Sequence, residues 1–217
     1  MKVLVIAPHP DDEILGCGGV MAKHAAAGDE IHVVIGTSSQ NEAAKAMNLS
    51  EAEKANKLLG VSDVRFLDFP TVELPHISTR LLTDTINGIV KEYRPNVVYI
   101  PFYGDMHTDH RMIADAAMVA VRPVSAPFVN RILAYETLSE TGWNYPTSDK
   151  AFIPNCYVDI SEYIDAKIAA LHCYERKLQP APKPRSIDGI RTLAKYRGQT
   201  IGIEYAESFM IIRDISK

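Results

Sequence analysis

The chain has 217 residues, of which 47% are apolar, enough for one sizeable core. A net charge of −4, an isoelectric point near 6.0 and scattered basic residues exclude the footprint of a nucleic-acid binder or a basic membrane-surface patch. No run approaches the roughly 18 apolar residues of a membrane span, and the short apolar N-terminus is broken at once by prolines and acids, unlike a signal peptide. The three cysteines, Cys17, Cys156 and Cys173, form no Cys-x-x-Cys pair, which argues against a disulfide framework or a structural zinc knuckle. The expectation is a cytoplasmic protein with one domain over residues 1–217; homo-oligomerisation is left open.

Residues 2–7 are a continuous apolar run that suits a strand buried on both faces. A helix is expected over 14–27, with Ile14, Leu15, Val20, Met21 and Ala25 as core positions, stopped by Gly28-Asp29. A second strand covers 30–36, and a helix over 41–59 ends at Gly60 as a C-terminal cap. Residues 64–67 read as a third strand. A helix over 78–93 places Leu81, Leu82, Ile86, Ile89 and Val90 at helical spacing, and 97–101 is a fourth strand. Further strands are expected at 131–136, 156–160 and 208–214. Helices are expected at 161–178, with Ser161 as N-cap, and at 186–196. The prolines of 179–185 make that segment a loop. Alternating strands and helices imply an α/β fold, a Rossmann-like three-layer sandwich with a mostly parallel sheet.

Two motifs carry chemistry. Pro8-His9-Pro10-Asp11-Asp12-Glu13 lies where the first strand meets the first helix, and His107-Thr108-Asp109-His110 follows the fourth strand. Strands 1 and 4 are neighbours in doubly wound sheets, and ligands bind beyond the carboxyl ends of such strands. Imidazoles and carboxylates therefore converge at one edge, which is costly unless a cation or a hydrogen-bond network compensates. A catalytic zinc takes three nitrogen or oxygen ligands and keeps one open position. His9, Asp12 and His110 would supply that set. Asp11 would remain as general base, and a protonated His107 would stabilise developing negative charge. Each motif alone would read as a capped surface turn; the pair at two strand ends favours a metal site.

Strand–Ala-Pro-His-Pro-Asp-Asp-Glu–helix followed by His-x-x-Asp-His resembles the PIG-L / LmbE-like family of N-deacetylases. Gly16-Cys17-Gly18-Gly19, Glu175 with its surrounding helix, and Gly202–Phe209 are similar too. The resemblance implies a Rossmann-like fold, Zn²⁺ held by His9, Asp12 and His110, Asp11 as base, and His107 as an electrostatic catalyst oriented by Asp109. It implies an N-acetylglucosamine-type acetamido sugar as the small-molecule substrate. Some relatives carry a carbonyl-polarising tyrosine two residues before the first histidine of the second motif; here that position is Asp105, and Tyr103 lies four before.

Asp105, Arg197 and Glu204 are candidate contacts to sugar hydroxyls. Trp143 and Tyr145 belong either to a packed loop or to a sugar site. Cys17 reads as packing, and His24, His32, His76 and His172 as structural or surface residues. Two rivals are weighed. A metal-dependent phosphoesterase would recruit a further carboxylate, Glu13 or Asp109. A non-catalytic sugar- or nucleotide-binding module has no use for Asp11 beside a metal, and the first turn lacks Gly-x-Gly-x-x-Gly.

Overall fold

In the computed structural model, which describes residues 1–216, the first apolar run forms β1 (Lys2–Ala7). Its pleat sends Val3, Val5 and Ala7 to one face and Leu4 and Ile6 to the other, and both faces are buried. The chain continues through α1 (Asp12–Ala26), β2 (Glu30–Ser38), α2 (Glu42–Leu58), β3 (Asp63–Pro70), α3 (Thr79–Tyr93), β4 (Val97–Pro101) and α4 (Thr108–Ala120). It ends with β5 (Arg131–Tyr135), β6 (Cys156–Asp159), α5 (Ile164–His172), α6 (Ile187–Gln199) and β7 (Ala206–Asp214).

The strands form one sheet in the order β3-β2-β1-β4-β5-β7-β6. β1 to β5 are parallel, and β7 lies antiparallel between β5 and β6. Helices α1, α2, α5 and α6 pack on one face, α3 and α4 on the other. This is the expected three-layer, mostly parallel architecture. Its chain order reverses between β1 and β4, so both motifs sit at a switch point. Among the described residues no helix is long and apolar enough to cross a membrane.

The glycines after the first motif let α1 sink into the core. A Cβ on Gly16 would stand 2.2 Å from the Tyr135 ring, and one on Gly19 2.7 Å from Ile160.

The structure differs from the sequence reading in several places. The alanine-rich α4 was not expected; its buried face is mostly small side chains (Ala114, Ala116, Ala117, Ala120), which give weak periodicity. The helix expected over 161–178 is shorter, Ile164–His172, followed by a 3-10 turn at Glu175–Lys177. Ser161 is no N-cap, because its Oγ donates to Asp159 Oδ1 at 2.6 Å and so completes the turn after β6. Ser186 does cap α6, accepting the Gly189 amide at 3.0 Å. Leu81 faces solvent, while Leu82, Ile86, Ile89 and Val90 are buried.

Candidate active site

The β1–α1 turn and the first turn of α4 bring three ligand-type atoms to one point. His9 Nδ1 and His110 Nε2 each lie 3.1 Å from Asp12 Oδ2, and the two nitrogens are 3.3 Å apart. The far nitrogen of each ring is tied to another carboxylate. His9 Nε2 donates to Asp109 Oδ2 at 2.9 Å, and His110 Nδ1 donates to Asp105 Oδ2 at 2.8 Å. These bonds fix the ring orientations, so that the inner nitrogens face Asp12 and would present lone pairs to a cation that displaced their protons, as in carboxylate–histidine–metal arrangements. Asp12 and His110 are fully buried, and Asp12 Oδ1 has no hydrogen-bond partner.

The charges shift each other. Burial opposes ionisation of Asp12, but His110 and His9 outweigh it and hold its carboxyl well below the usual range. Burial likewise opposes charge on His110, yet Asp12 and Asp105 push it up to about 10. His107 goes the other way: burial and then the neighbouring His9 and His110 take it down to about 4.

Asp11 stands beside the triangle without joining it. Its backbone is left-handed (φ 106°), a conformation for which Asp is among the better-suited non-glycine residues. Its amide donates to Glu13 Oε2 at 3.0 Å. Glu13 is itself buried, accepting Tyr174 Oη at 2.6 Å and Asn56 Nδ2 at 3.0 Å, and burial pushes its carboxyl up to about 7. The Asp11 side chain meets Lys177 Nζ at 3.3 Å and Arg185 Nη1 at 2.9 Å. Burial raises its pKa, and the two cations restrain the rise. Lys177 also donates to Pro10 O, and Arg185 Nη2 lies 3.9 Å from Asp12 Oδ1.

A cleft of about 820 Å³ opens onto His9, Asp11 and His107. Its outer walls carry polar side chains such as Gln40, Asn48, Thr71 and Gln179, with Trp143 on one side. Trp143 is 59% exposed.

A family model described as GlcNAc-PI de-N-acetylase (PIG-L) matches residues 4–121, more than half of the chain and the span of both motifs. The diacetylchitobiose deacetylase of Thermococcus kodakarensis is 30% identical over 234 residues, covering 99% of this chain and 84% of that protein. The chain belongs to the PIG-L family. Two solved structures share the fold along nearly the whole chain. The conserved protein TT1542 from Thermus thermophilus gives a TM-score of 0.80 at 28% identity, over 99% of this chain and 96% of that one. The N,N'-diacetylchitobiose deacetylase from Pyrococcus horikoshii gives 0.75 at 26%, over 98% and 84%.

On this PIG-L scaffold His9, Asp12 and His110 meet as one set, with Asp11 and His107 beside them. Some of the other sequence expectations need correction. The Asp109 carboxylate serves His9 rather than His107; it reaches His107 only through its amide, which donates to Nδ1 at 3.1 Å. That bond places the proton of the neutral His107 ring on Nε2. Asp105 is no substrate contact, since it is fully buried between His110 and Thr141. Arg197 is held by Glu136 at 2.8 and 2.7 Å, and it and Glu204 lie outside the cleft lining. Sequence reasoning missed Lys177 and Arg185. One signal pointed to Arg185, a cation closing a proline-stiffened loop.

Proposed function

We propose that this PIG-L protein is a zinc-dependent N-deacetylase that hydrolyses the acetamide of an amino sugar. The observation that carries the reading is the triangle of His9 Nδ1, Asp12 Oδ2 and His110 Nε2, with edges of 3.1, 3.1 and 3.3 Å, beside the Asp11 carboxylate, which stays outside the triangle and is held by Lys177 and Arg185. A tetrahedral ion with bonds of about 2.0–2.1 Å spaces its ligands by about 3.3–3.4 Å, close to these edges. Asp12 Oδ1, which has no hydrogen-bond partner, and the two inner ring nitrogens form a donor set that fits a cation.

Zinc held there supplies Lewis acidity to a bound carbonyl and to water. Asp11 takes the proton of the attacking water, because burial has raised its basicity. Lys177 and Arg185 keep its side chain aimed, and the Glu13–Asn56–Tyr174 network holds its backbone. His107 donates a hydrogen bond from Nε2–H to the developing oxyanion and keeps its proton, a task a neutral imidazole performs without a charge to desolvate. Asp11 returns its proton to the leaving amine. The polar cleft supplies hydrogen bonds to sugar hydroxyls, the contacts that discriminate most strongly when buried.

The phosphoesterase reading loses one of its two candidate extra ligands, because both Glu13 oxygens accept hydrogen bonds; Asp109 keeps Oδ1 without a hydrogen-bond partner, so a count of one metal per chain is what separates the two readings. Acetate release from zinc-loaded protein, measured on free and linked N-acetylglucosamine, acetylated lysine and acetylated polyamines, tests the proposal. The sugars are expected to be cleaved fastest. Preference for the lysine or polyamine amides over every sugar would overturn the substrate class.

A further inference from the structure

Next to the polar cleft lies a second recess of about 360 Å³, and its chemistry is different. Three loops each contribute one large apolar side chain to it: Val72 after β3, Met106 after β4 and Trp143 after β5. They are 63%, 55% and 59% exposed, a convergence of apolar surface that water does not favour. His107 and Glu140 line both chambers, and the His107 ring meets the His9 ring edge-on at 4.5 Å between centroids. The recess therefore opens onto the reaction centre.

Val72 gives an independent sign that the recess is built. It is β-branched yet sits at φ 68°, a strained conformation for such a residue. Its amide donates to Asp109 Oδ2 at 2.7 Å, the oxygen that also orients His9. The bond holds the strained turn and turns an apolar side chain toward the mouth of the site.

From this we infer that the recess takes the acyl group of the substrate and that the deacetylase also accepts N-acyl chains longer than acetyl, of about four to eight carbons, and binds them more tightly. The inference rests on the amidase reading above. An amide has two substituents at its reacting centre. The sugar requires hydrogen bonds, which the cleft offers through Gln40, Asn48 and Gln179; the apolar recess is left for the acyl side. A methyl group fills about as much room as a water molecule, roughly 30 Å³, so acetyl would leave most of the 360 Å³ unused. Each fully buried methylene is worth about fourfold in binding, so four half-buried ones give roughly tenfold.

Trp143 is the single tryptophan of the chain and lines both the cleft and the recess, so its emission reports binding without any turnover, and comparing chains placed at the acyl and glycosidic ends tells the two chambers apart. Metal-free protein is titrated with N-acetyl- and N-hexanoyl-glucosamine, and with the hexyl glycoside of N-acetylglucosamine, which carries its chain at the other end. The hexanoyl compound is expected to shift the emission to the blue and to bind roughly tenfold tighter than the acetyl compound. The hexyl glycoside is expected to match the acetyl compound. In Met106→Gln the hexanoyl-to-acetyl ratio of affinities falls by about threefold or more. Equal affinity for both acyl lengths, or a larger shift with the hexyl glycoside, would overturn the inference. Acid release by zinc-loaded protein is followed in parallel: a chain-length preference in binding with no cleavage of any glucosamine amide would count against the amidase reading and leave the recess standing.

Discussion

Two clusters of buried charge touch α1, and they are finished to different degrees. At mid-helix, Lys167 Nζ donates to Leu15 O and to Glu207 Oε1, both at 2.7 Å, and Glu207 accepts the Gly19 and Val20 amides at 2.8 and 2.7 Å. Charge meets charge, and both oxygens of Glu207 are used. At the N-terminal end of the same helix Asp12 Oδ1 lacks a hydrogen-bond partner, as does Asp109 Oδ1, and three ligand-type atoms crowd one point. Similar residue types thus build two kinds of site. The closed cluster cross-links α5 and β7 to α1, and nothing more can be added to it. The open cluster has unused electrostatic capacity, which a cation would satisfy.

Breaking the open cluster gives the largest expected effect. His110→Ala should abolish zinc binding and turnover while the circular dichroism stays native; a full equivalent of zinc in that variant would remove His110 from the ligand set. Asp11→Asn fits the same left-handed backbone, so zinc should stay while turnover falls about 100- to 10,000-fold. Near-normal turnover would place the base elsewhere. The closed cluster should respond in stability. Lys167→Met strands the buried Glu207 charge and should cost about 3–5 kcal/mol in denaturant unfolding. Adding Glu207→Leu should restore at least half of that loss, because Leu15 O and the Gly19 amide can then pair along the helix; a double variant no better than the single one would contradict this account.

The smallest effect sharpens the boundary between the clusters. The Glu13 carboxyl titrates near 7 in the fold against 4.5 for its ordinary value. A raised acid contributes stability that is complete below about pH 4.5 and is lost as pH rises through 7. Glu13→Gln is neutral throughout, so metal-free wild type should lose roughly 3 kcal/mol relative to the variant between pH 4.5 and 8. Parallel stability profiles for the two proteins would rule out Glu13 as the source.

The triangle of His9, Asp12 and His110 was legible in the sequence because its members lie within two short motifs at neighbouring strand ends. The sheet was legible from apolar runs bounded by glycine and proline. Legibility ended where partners come from distant segments. Lys177 and Arg185 approach Asp11 from more than 160 residues away. The Asp109 carboxylate could serve His9 or His107, and only packing decides. Asp105 carries a charge suited to a sugar hydroxyl, yet its burial against His110 is a tertiary fact. Lys167 did leave a trace, a charged residue between Ile164 and Ile168 on the apolar face of α5.

The place of β7 has a consequence for the order of synthesis. It follows all the other described strands in sequence, yet it inserts between β5 and β6, and it carries the Glu207 that grips α1. While residues 206–214 are still in the ribosome, β6 lacks the neighbour it pairs with, and Lys167 faces α1 without its counter-charge. The β1–α1 turn, made well before β7, therefore stands on a helix that is fastened only when β7 arrives. Nascent chains stalled before residue 206 should be cut readily by protease within the segment after β5, and released chains should resist. Equal resistance would mean that β1 to β5 with their helices hold the turn unaided.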